Sequence, residues 1–355
     1  MILKIVLVGV VLVVLVIVGM ILYGKHQMNQ IPGLSFADTV AYTTKGKPGA
    51  VISVGIFQNG GASFTVYGED GKALPPELHT YEIGSVTKTI TAALISKAVN
   101  EGKIDINQPI DRYLSLPAGK HYPTVSDLLT HTSGYKSYYL ETPMIGNFFK
   151  GRNSFFGISK ENVLKRVSET GLENKTYPFA YSNFGYATLG LVLEVVYGTG
   201  YTDLANQFLQ GELGLANTKI ADGTGDMTGY WDWQADDAYI AAGAVTSNIE
   251  DMLGYLAIQL GDNADIAQTH GRIKDINATS EMYAKMGIRL DAIGMAWIID
   301  SENGIIWHNG GTGKYNSFIG FHPESQTGVV VLSNLSPSDR IPATVMGVKA
   351  LKELL

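Results

Sequence analysis

The chain contains no cysteine. That excludes disulfides, thiol nucleophiles, cysteine-ligated zinc and iron–sulfur clusters together. Charge is also scarce: Asp, Glu, Lys and Arg make up 17% of the 355 residues, against about 25% in an ordinary soluble domain. There is no excess of positive charge. The net charge is −7, which argues against nucleic acid as a partner. No His-x-x-x-His pair occurs, His131 and His270 stand far apart, and with cysteine absent no metal-ligand pattern is left. No metal or other cofactor is therefore expected. Low-complexity tracts and internal repeats are missing, and after residue 25 no apolar run reaches membrane length.

What is present is a globular composition, 45% hydrophobic with 41 glycines, which implies a large core and many tight turns. The length allows one large domain or two. Residues 5–23 carry no charge and are bracketed by Lys4 and Lys25. As a helix they would span about 28 Å, close to the roughly 30 Å hydrocarbon core. The run exceeds the apolar stretch of a signal peptide, and no small-x-small cleavage site follows it. An uncleaved single-pass membrane anchor over 1–25 is the preferred reading, with 26–47 as a linker leading into a domain over 48–355. The amino terminus and Lys4 slightly outweigh Lys25, which places the N-terminus inside and the body of the protein on the extracytoplasmic face of the cell membrane.

Residues 51–58, Asn59-Gly60 and residues 63–67 read as a β-hairpin. Val86, Ile90, Ala93, Leu94 and Ala98 recur at helical spacing, with Gly102 as a stop. Residues 123–129, 161–168 and 184–197 are further helix candidates. Strands return at 295–300, 305–308, 317–322 and 328–333, and 341–355 reads as a closing helix. Strands at both ends with helices between them imply an α+β fold: an antiparallel sheet from about 48–84 and 290–340, flanked by helices, with an inserted all-helical region over about 100–230.

Three short patterns could carry chemistry. In Ser85-Val86-Thr87-Lys88, i and i+3 share a helix face, so a helix starting at Ser85 puts the Lys88 amine against the hydroxyl. A serine hydroxyl needs such a base, and a desolvated lysine has its pKa lowered enough to serve. The same spacing recurs in Ser133-Gly134-Tyr135-Lys136, which reads as a turn whose side chains need not share a face. Tyr181-Ser182-Asn183 is the chain's one Tyr-x-Asn. In a loop Tyr181 and Asn183 can point into one cleft, and ammonium groups nearby would pull the phenol below its usual value of about 10. His308-Asn309-Gly310-Gly311-Thr312 places a histidine at the end of a strand, followed by paired glycines. Their backbone N–H, with that of Ser85, could form an oxyanion hole. A phosphate-loop reading of Gly310 to Lys314 fails, because His308 and Tyr315 stand where that pattern needs Gly and Ser or Thr.

In this order the three patterns resemble the signature of the penicillin-recognising serine hydrolases, the class C β-lactamase and penicillin-binding protein superfamily. Residues 81–88 resemble its first block, 127–134 a structural block without a catalytic role, residues 242–251 another, and 308–334 its closing strands. The resemblance spans about residues 48 to 335. It implies a serine β-lactamase-like fold and an acyl-enzyme mechanism with Ser85 as nucleophile. Lys88 and Tyr181 share the proton work, with the base unassigned between them. Asn183, His308, Gly310 and Gly311 bind substrate, and the Ser85 and Gly311 N–H groups hold the oxyanion. The chain departs from the pattern at His308, where many penicillin-binding proteins have Lys, and at Lys314, where relatives often have Gly. We read Lys314 as a surface residue.

The expected partner is a small-molecule or short-peptide substrate, with the membrane contacted through residues 5–23. The leading reading is a hydrolase of an amide, β-lactam or D-amino-acid peptide. Alternatives are an esterase or amidase on another small acyl compound, and a slowly deacylating β-lactam or peptidoglycan sensor. Residues 136–160 are expected to form a long aromatic loop, either beside the cleft and specificity-setting or packed on itself. Residues 227–233 form a second segment open to the same two readings.

Overall fold

The computed structural model describes residues 31–355. Its strands are β1 (Ile52–Gln58), β2 (Gly61–Tyr67), β3 (Ala73–Leu74), β4 (Tyr81–Glu82), β5 (Lys219–Ile220), β6 (Val245–Ser247), β7 (Lys274–Asp275), β8 (Ala292–Ile293), β9 (Ile298–Asp300), β10 (Ile305–Gly311), β11 (Asn316–His322) and β12 (Thr327–Ser333). Nine of them form an antiparallel sheet in the order β3-β2-β1-β12-β11-β10-β9-β8-β7. Both ends of the chain meet at its centre, where Ile52 lies opposite Ser333 and Phe57 opposite Gly328. The β1–β2 hairpin turns at Asn59 and Gly60, with φ of 56° and 75°. Positive φ at both central positions is what a two-residue hairpin with native twist requires.

β12 reads Thr-Gly-Val-Val-Val-Leu-Ser and is buried throughout, because both faces of the sheet are covered. Alternate side chains go to opposite layers. Val329 and Val331 join a core closed by the helices Phe36–Thr44 and Ala343–Leu354, while Val330 and Leu332 join the larger core shared with the helical region. That region contains the helices Val125–Leu129, Thr142–Phe149, Lys160–Glu169, Asn183–Tyr197 and Tyr201–Asn206, and the helix Ile249–Leu260 follows it. The fold is thus the α+β arrangement expected, an antiparallel sheet with an inserted helical region. The helix Thr87–Asn100 runs through the larger core, buried along nearly its whole length. Gly102, at φ 70°, ends it, and the Lys103 N–H closes on the Ala98 carbonyl at 2.8 Å.

Three expectations are corrected. Residues up to 84 do not all enter the main sheet: β4 pairs with β6, and β6 with β5, in a separate three-stranded sheet. The 136–160 segment is not simply a loop, since Thr142–Phe149 is a helix with Pro143 in its first turn. The strand expected to end at His308 runs on to Gly311, with Gly310 and Gly311 opposite Ser317 and Asn316. The apolar run at 5–23 lies outside the described residues. Among the described residues no helix is long and apolar enough to cross a membrane.

Candidate active site

Ser85 sits in a tight 3-10 turn, Gly84–Val86, from which the helix Thr87–Asn100 continues. The turn starts from Gly84 at φ 50°, a backbone conformation that suits glycine. A side chain on Gly84 would in any case lie 2.6 Å from the Gly311 nitrogen. The helix does not begin at Ser85, yet the one-turn spacing still brings Lys88 back under it. The Lys88 Nζ lies 3.1 Å from the Ser85 Oγ, 2.7 Å from the Asn183 Oδ1 and 2.6 Å from the Ala242 carbonyl oxygen.

Lys88 is fully buried, and burial drives its pKa well below the ordinary lysine value. The amine donates to the Asn183 Oδ1 and the Ala242 carbonyl, which can only accept, and its third contact is the Ser85 Oγ. Losing its proton would free a lone pair toward the Ser85 hydroxyl.

Asn183 is the first residue of the helix Asn183–Tyr197, and Ser182 caps it by accepting from the Gly185 N–H at 2.9 Å. Ser182 is extended, with φ −132° and ψ 108°, so residues 181 and 183 project to the same side. The Tyr181 ring lies 4.9 Å below the Lys88 nitrogen, and its side chain is hydrogen-bonded to Ser85. Its phenol is not acidified as expected. Desolvation raises its pKa, outweighing the Ser85 hydrogen bond.

β10 closes the other side. Ile306, His308 and Gly310 face the helical layer, whereas Trp307 stacks on Phe318 and Asn309 donates to Thr344 at 2.8 Å on the opposite face. The strand is pressed onto the segment before Ser85. Ser317 Oγ donates to the Ile83 carbonyl at 2.7 Å, and Thr312 Oγ1 donates to the buried Glu82 carboxylate at 2.5 Å. A Cβ on Gly310 would sit 1.9 Å from that same Ile83 oxygen, so the position admits only glycine. His308 is buried, with Nδ1 2.7 Å from the Asn309 carbonyl. Nδ1 therefore donates and Nε2 is the acceptor. Burial is the main cause that pushes its pKa down to about 3.

These groups surround a cavity of about 100 Å³ lined by Ser85, Asn183, Gly311 and Gly243, with Phe155, Trp231, Trp233 and Tyr239 as its aromatic walls. Ser85, Lys88, Tyr181 and Asn183 are thus gathered at one point, with Gly311 on the same cavity and Gly310 and His308 on the strand behind it. The second Ser-x-x-Lys is not such a site: Ser133 is buried and accepts from the Tyr135 N–H at 3.2 Å, while Lys136 is exposed. Lys314 is exposed, with its stem over Gly229. No cluster of metal-binding side chains occurs among the described residues.

Two participants were not read from the sequence. One is the Ala242 carbonyl, a backbone group that any residue would supply. The other is His131, in the block taken to be structural. Its carbonyl accepts from the Ala180 N–H at 2.8 Å and its Nδ1 from the Ser182 N–H at 3.1 Å, and its ring stacks 4.5 Å from that of Tyr181. It fixes both ends of the residue that presents the phenol. Its φ of 56° marks a turn, and the adjoining Thr132-Ser133-Gly134 was the only sequence hint of it.

Solved structures of known proteins share this fold. Protein flp of Staphylococcus aureus (strain MRSA252) is 24% identical over 353 residues, covering 90% of this chain and 62% of that protein. The chain therefore spans less than two thirds of that relative's length. An octameric penicillin-binding protein homologue from Pyrococcus abyssi superposes with TM-score 0.68 at 22% identity, covering 86% of this chain and 73% of that one. A beta-lactamase/D-alanine carboxypeptidase from Yersinia pestis, complexed with citrate, superposes with TM-score 0.69 at 18% identity, covering 93% and 98%. The Beta-lactamase family model matches residues 25–347, and the chain belongs to that family.

Proposed function

We propose that this protein is a membrane-anchored serine hydrolase that opens an amide, β-lactam or D-amino-acid peptide carbonyl through an acyl-enzyme on Ser85. The observation that carries the reading is the buried Lys88 amine, 3.1 Å from the Ser85 Oγ with two N–H bonds engaged elsewhere. Lys88 takes the Ser85 proton as the hydroxyl attacks, which assigns the base left open between Lys88 and Tyr181. The Ser85 and Gly311 N–H groups hold the oxyanion. Tyr181, a half-exposed residue whose phenol stays protonated because desolvation at the site raises its pKa, donates to the leaving group. Water then enters, gives its proton back through the same pair, and releases the acid. Asn183 holds Lys88 and meets the acyl amide, and His308 offers a neutral imidazole behind the site.

Anchoring rests on the uncharged run at 5–23 and on the cell-wall setting such substrates would have. A second reading, an ester or amide of another small acid, is favoured by the aromatic walls of the cavity.

Intact mass spectrometry of the chain with a penicillin and, separately, with a fluorophosphonate tests the proposal, using Ser85→Ala as control. A penicillin adduct on Ser85 supports the β-lactam reading, and its lifetime separates hydrolysis from stable binding. A fluorophosphonate adduct alone moves the substrate to other acyl compounds. Absence of both adducts overturns the serine hydrolase reading.

A further inference from the structure

Beside the catalytic cavity lies a larger one of about 380 Å³, within the range of about 300–1,000 Å³ found for small-molecule pockets. The helix Thr142–Phe149 supplies Met144, Ile145 and Phe148 to its lining, and the approach to that helix supplies Tyr138 and Leu140. No charged residue is among them. Ile145, Leu140 and Phe148 stand 52%, 69% and 77% exposed, so this wall is a large apolar surface that none of the described residues covers. Ser154, Phe155 and Trp231 complete the lining, and the last two also line the Ser85 cavity. The two spaces therefore adjoin along those two rings.

The shared walls are rigid. Phe155 stacks on Tyr239 at 4.3 Å and 16°. The Trp231 backbone N–H donates to the Glu82 carboxylate at 2.5 Å, and its indole occupies the room left by Gly313. Asn147 donates to the Phe156 carbonyl at 2.7 Å, and Asn153 to the Asp232 carbonyl at 3.1 Å. The helix and the 227–233 rim are therefore both tied to the segment that carries Phe155.

We infer that this annex receives the apolar tail of the substrate's acyl group, so that the preferred substrate is an ester or amide of a medium-chain or aryl-substituted acid. The inference rests on the acyl-enzyme reading of Ser85. The acyl side is assigned because the leaving group must depart toward its proton donor. Tyr181 does not line the Ser85 cavity, whereas Asn183 and Trp231 do. The inner cavity, roughly 100 Å³, is well below the about 300 Å³ at which small-molecule pockets begin, so a longer acyl chain extends into the annex.

The test measures acylation rate constants per unit concentration, kcat/KM, for p-nitrophenyl acetate, butyrate and octanoate on the full chain, with Ser85 occupancy titrated by a small fluorophosphonate. Burial is worth about fourfold per methylene. The octanoate should therefore exceed the butyrate by more than tenfold. Ile145→Glu puts a charge on an exposed wall residue. It should abolish the octanoate advantage and leave acetate within about twofold. Ser154→Trp fills the same space from an exposed position and should do likewise should Ile145→Glu not fold. A flat chain-length profile with Ser85 fully labelled overturns the annex and leaves the hydrolase reading standing. A Ser85 that neither labels nor acylates overturns both.

Discussion

Replacing Lys88 with methionine should reveal its charge state in a way that activity alone does not. In the folded protein burial holds the amine well below its ordinary value of 10.5. In the unfolded chain it titrates normally. Between the depressed folded pKa and 10.5 the unfolded state therefore binds one proton more than the native state. Stability then rises with pH by about 1.4 kcal/mol per unit. The contribution is complete above the unfolded value and is lost as pH falls toward the folded one. Lys88→Met lacks this dependence, and all other titrations cancel in the difference between the two proteins. From about pH 8 to about pH 10 the wild type should gain roughly 2.5 kcal/mol relative to Lys88→Met. The assay is urea unfolding of both proteins across that window. The same variant should lose acylation of Ser85 by about two to four orders of magnitude, as loss of a general base does. A stability difference that does not change with pH would mean that Lys88 remains an ammonium in the native state, and the assignment of it as base would fall.

The remaining predictions concern its neighbours. Tyr181→Phe should lower acylation by about a hundredfold or more for amides; it should cost much less for p-nitrophenyl esters, whose leaving group needs no proton, and equal losses would remove the leaving-group role. The His308 imidazole, held neutral down to about pH 3, should show no NMR titration between about pH 5 and pH 8, the usual histidine range. Gly310→Ala drives a methyl into the Ile83 carbonyl; overpacking of this kind costs about 1–3 kcal/mol, and unfolding curves should show it together with slower acylation. His131→Phe keeps the ring but orphans the Ser182 N–H, a loss of about 1–3 kcal/mol. It should lower kcat more than it raises KM, because the phenol is displaced rather than the substrate pocket.

Much of this arrangement was legible in the sequence, and the exceptions have a common cause. The β1–β2 hairpin was readable because Asn59-Gly60 demands a particular turn. The three patterns at Ser85, Tyr181 and His308 were readable because their spacing is local: one helical turn, one extended pair, one strand end. The role of Ala242 was not readable, since it acts through its carbonyl. Neither was that of His131, whose hydrogen bonds reach residues 180 and 182 across a fold the sequence does not display. The helix at 142–149 was hidden because its apolar residues face an open cavity rather than the core, so they give no core-facing pattern. The direction of the Tyr181 shift was misread for a related reason: proximity to lysine suggested a cation, whereas desolvation dominates at the phenol and also lowers the lysine's pKa.

That last point bears on substrate choice. Lys88, His308 and Tyr181 titrate in the free state near 10.5, 6.5 and 10, and burial moves each toward its uncharged form. A site whose proton-handling groups are all neutral offers no fixed cation to attract an anionic substrate, and Lys314, the nearby cation, lies outside the cavity lining. Attraction must then come from apolar contact and from the two backbone N–H groups, which act only once the carbonyl oxygen develops charge. The aromatic cavity walls and the uncharged annex beside them are consistent with that division of labour. A charged acyl group would have to be desolvated here without a partner, at a cost of several kcal/mol, whereas an alkyl chain gains from the same burial. If octanoate and an octanedioate half-ester, equal in chain length, are acylated at equal rates, burial is not what selects the substrate, and the neutral-site argument fails.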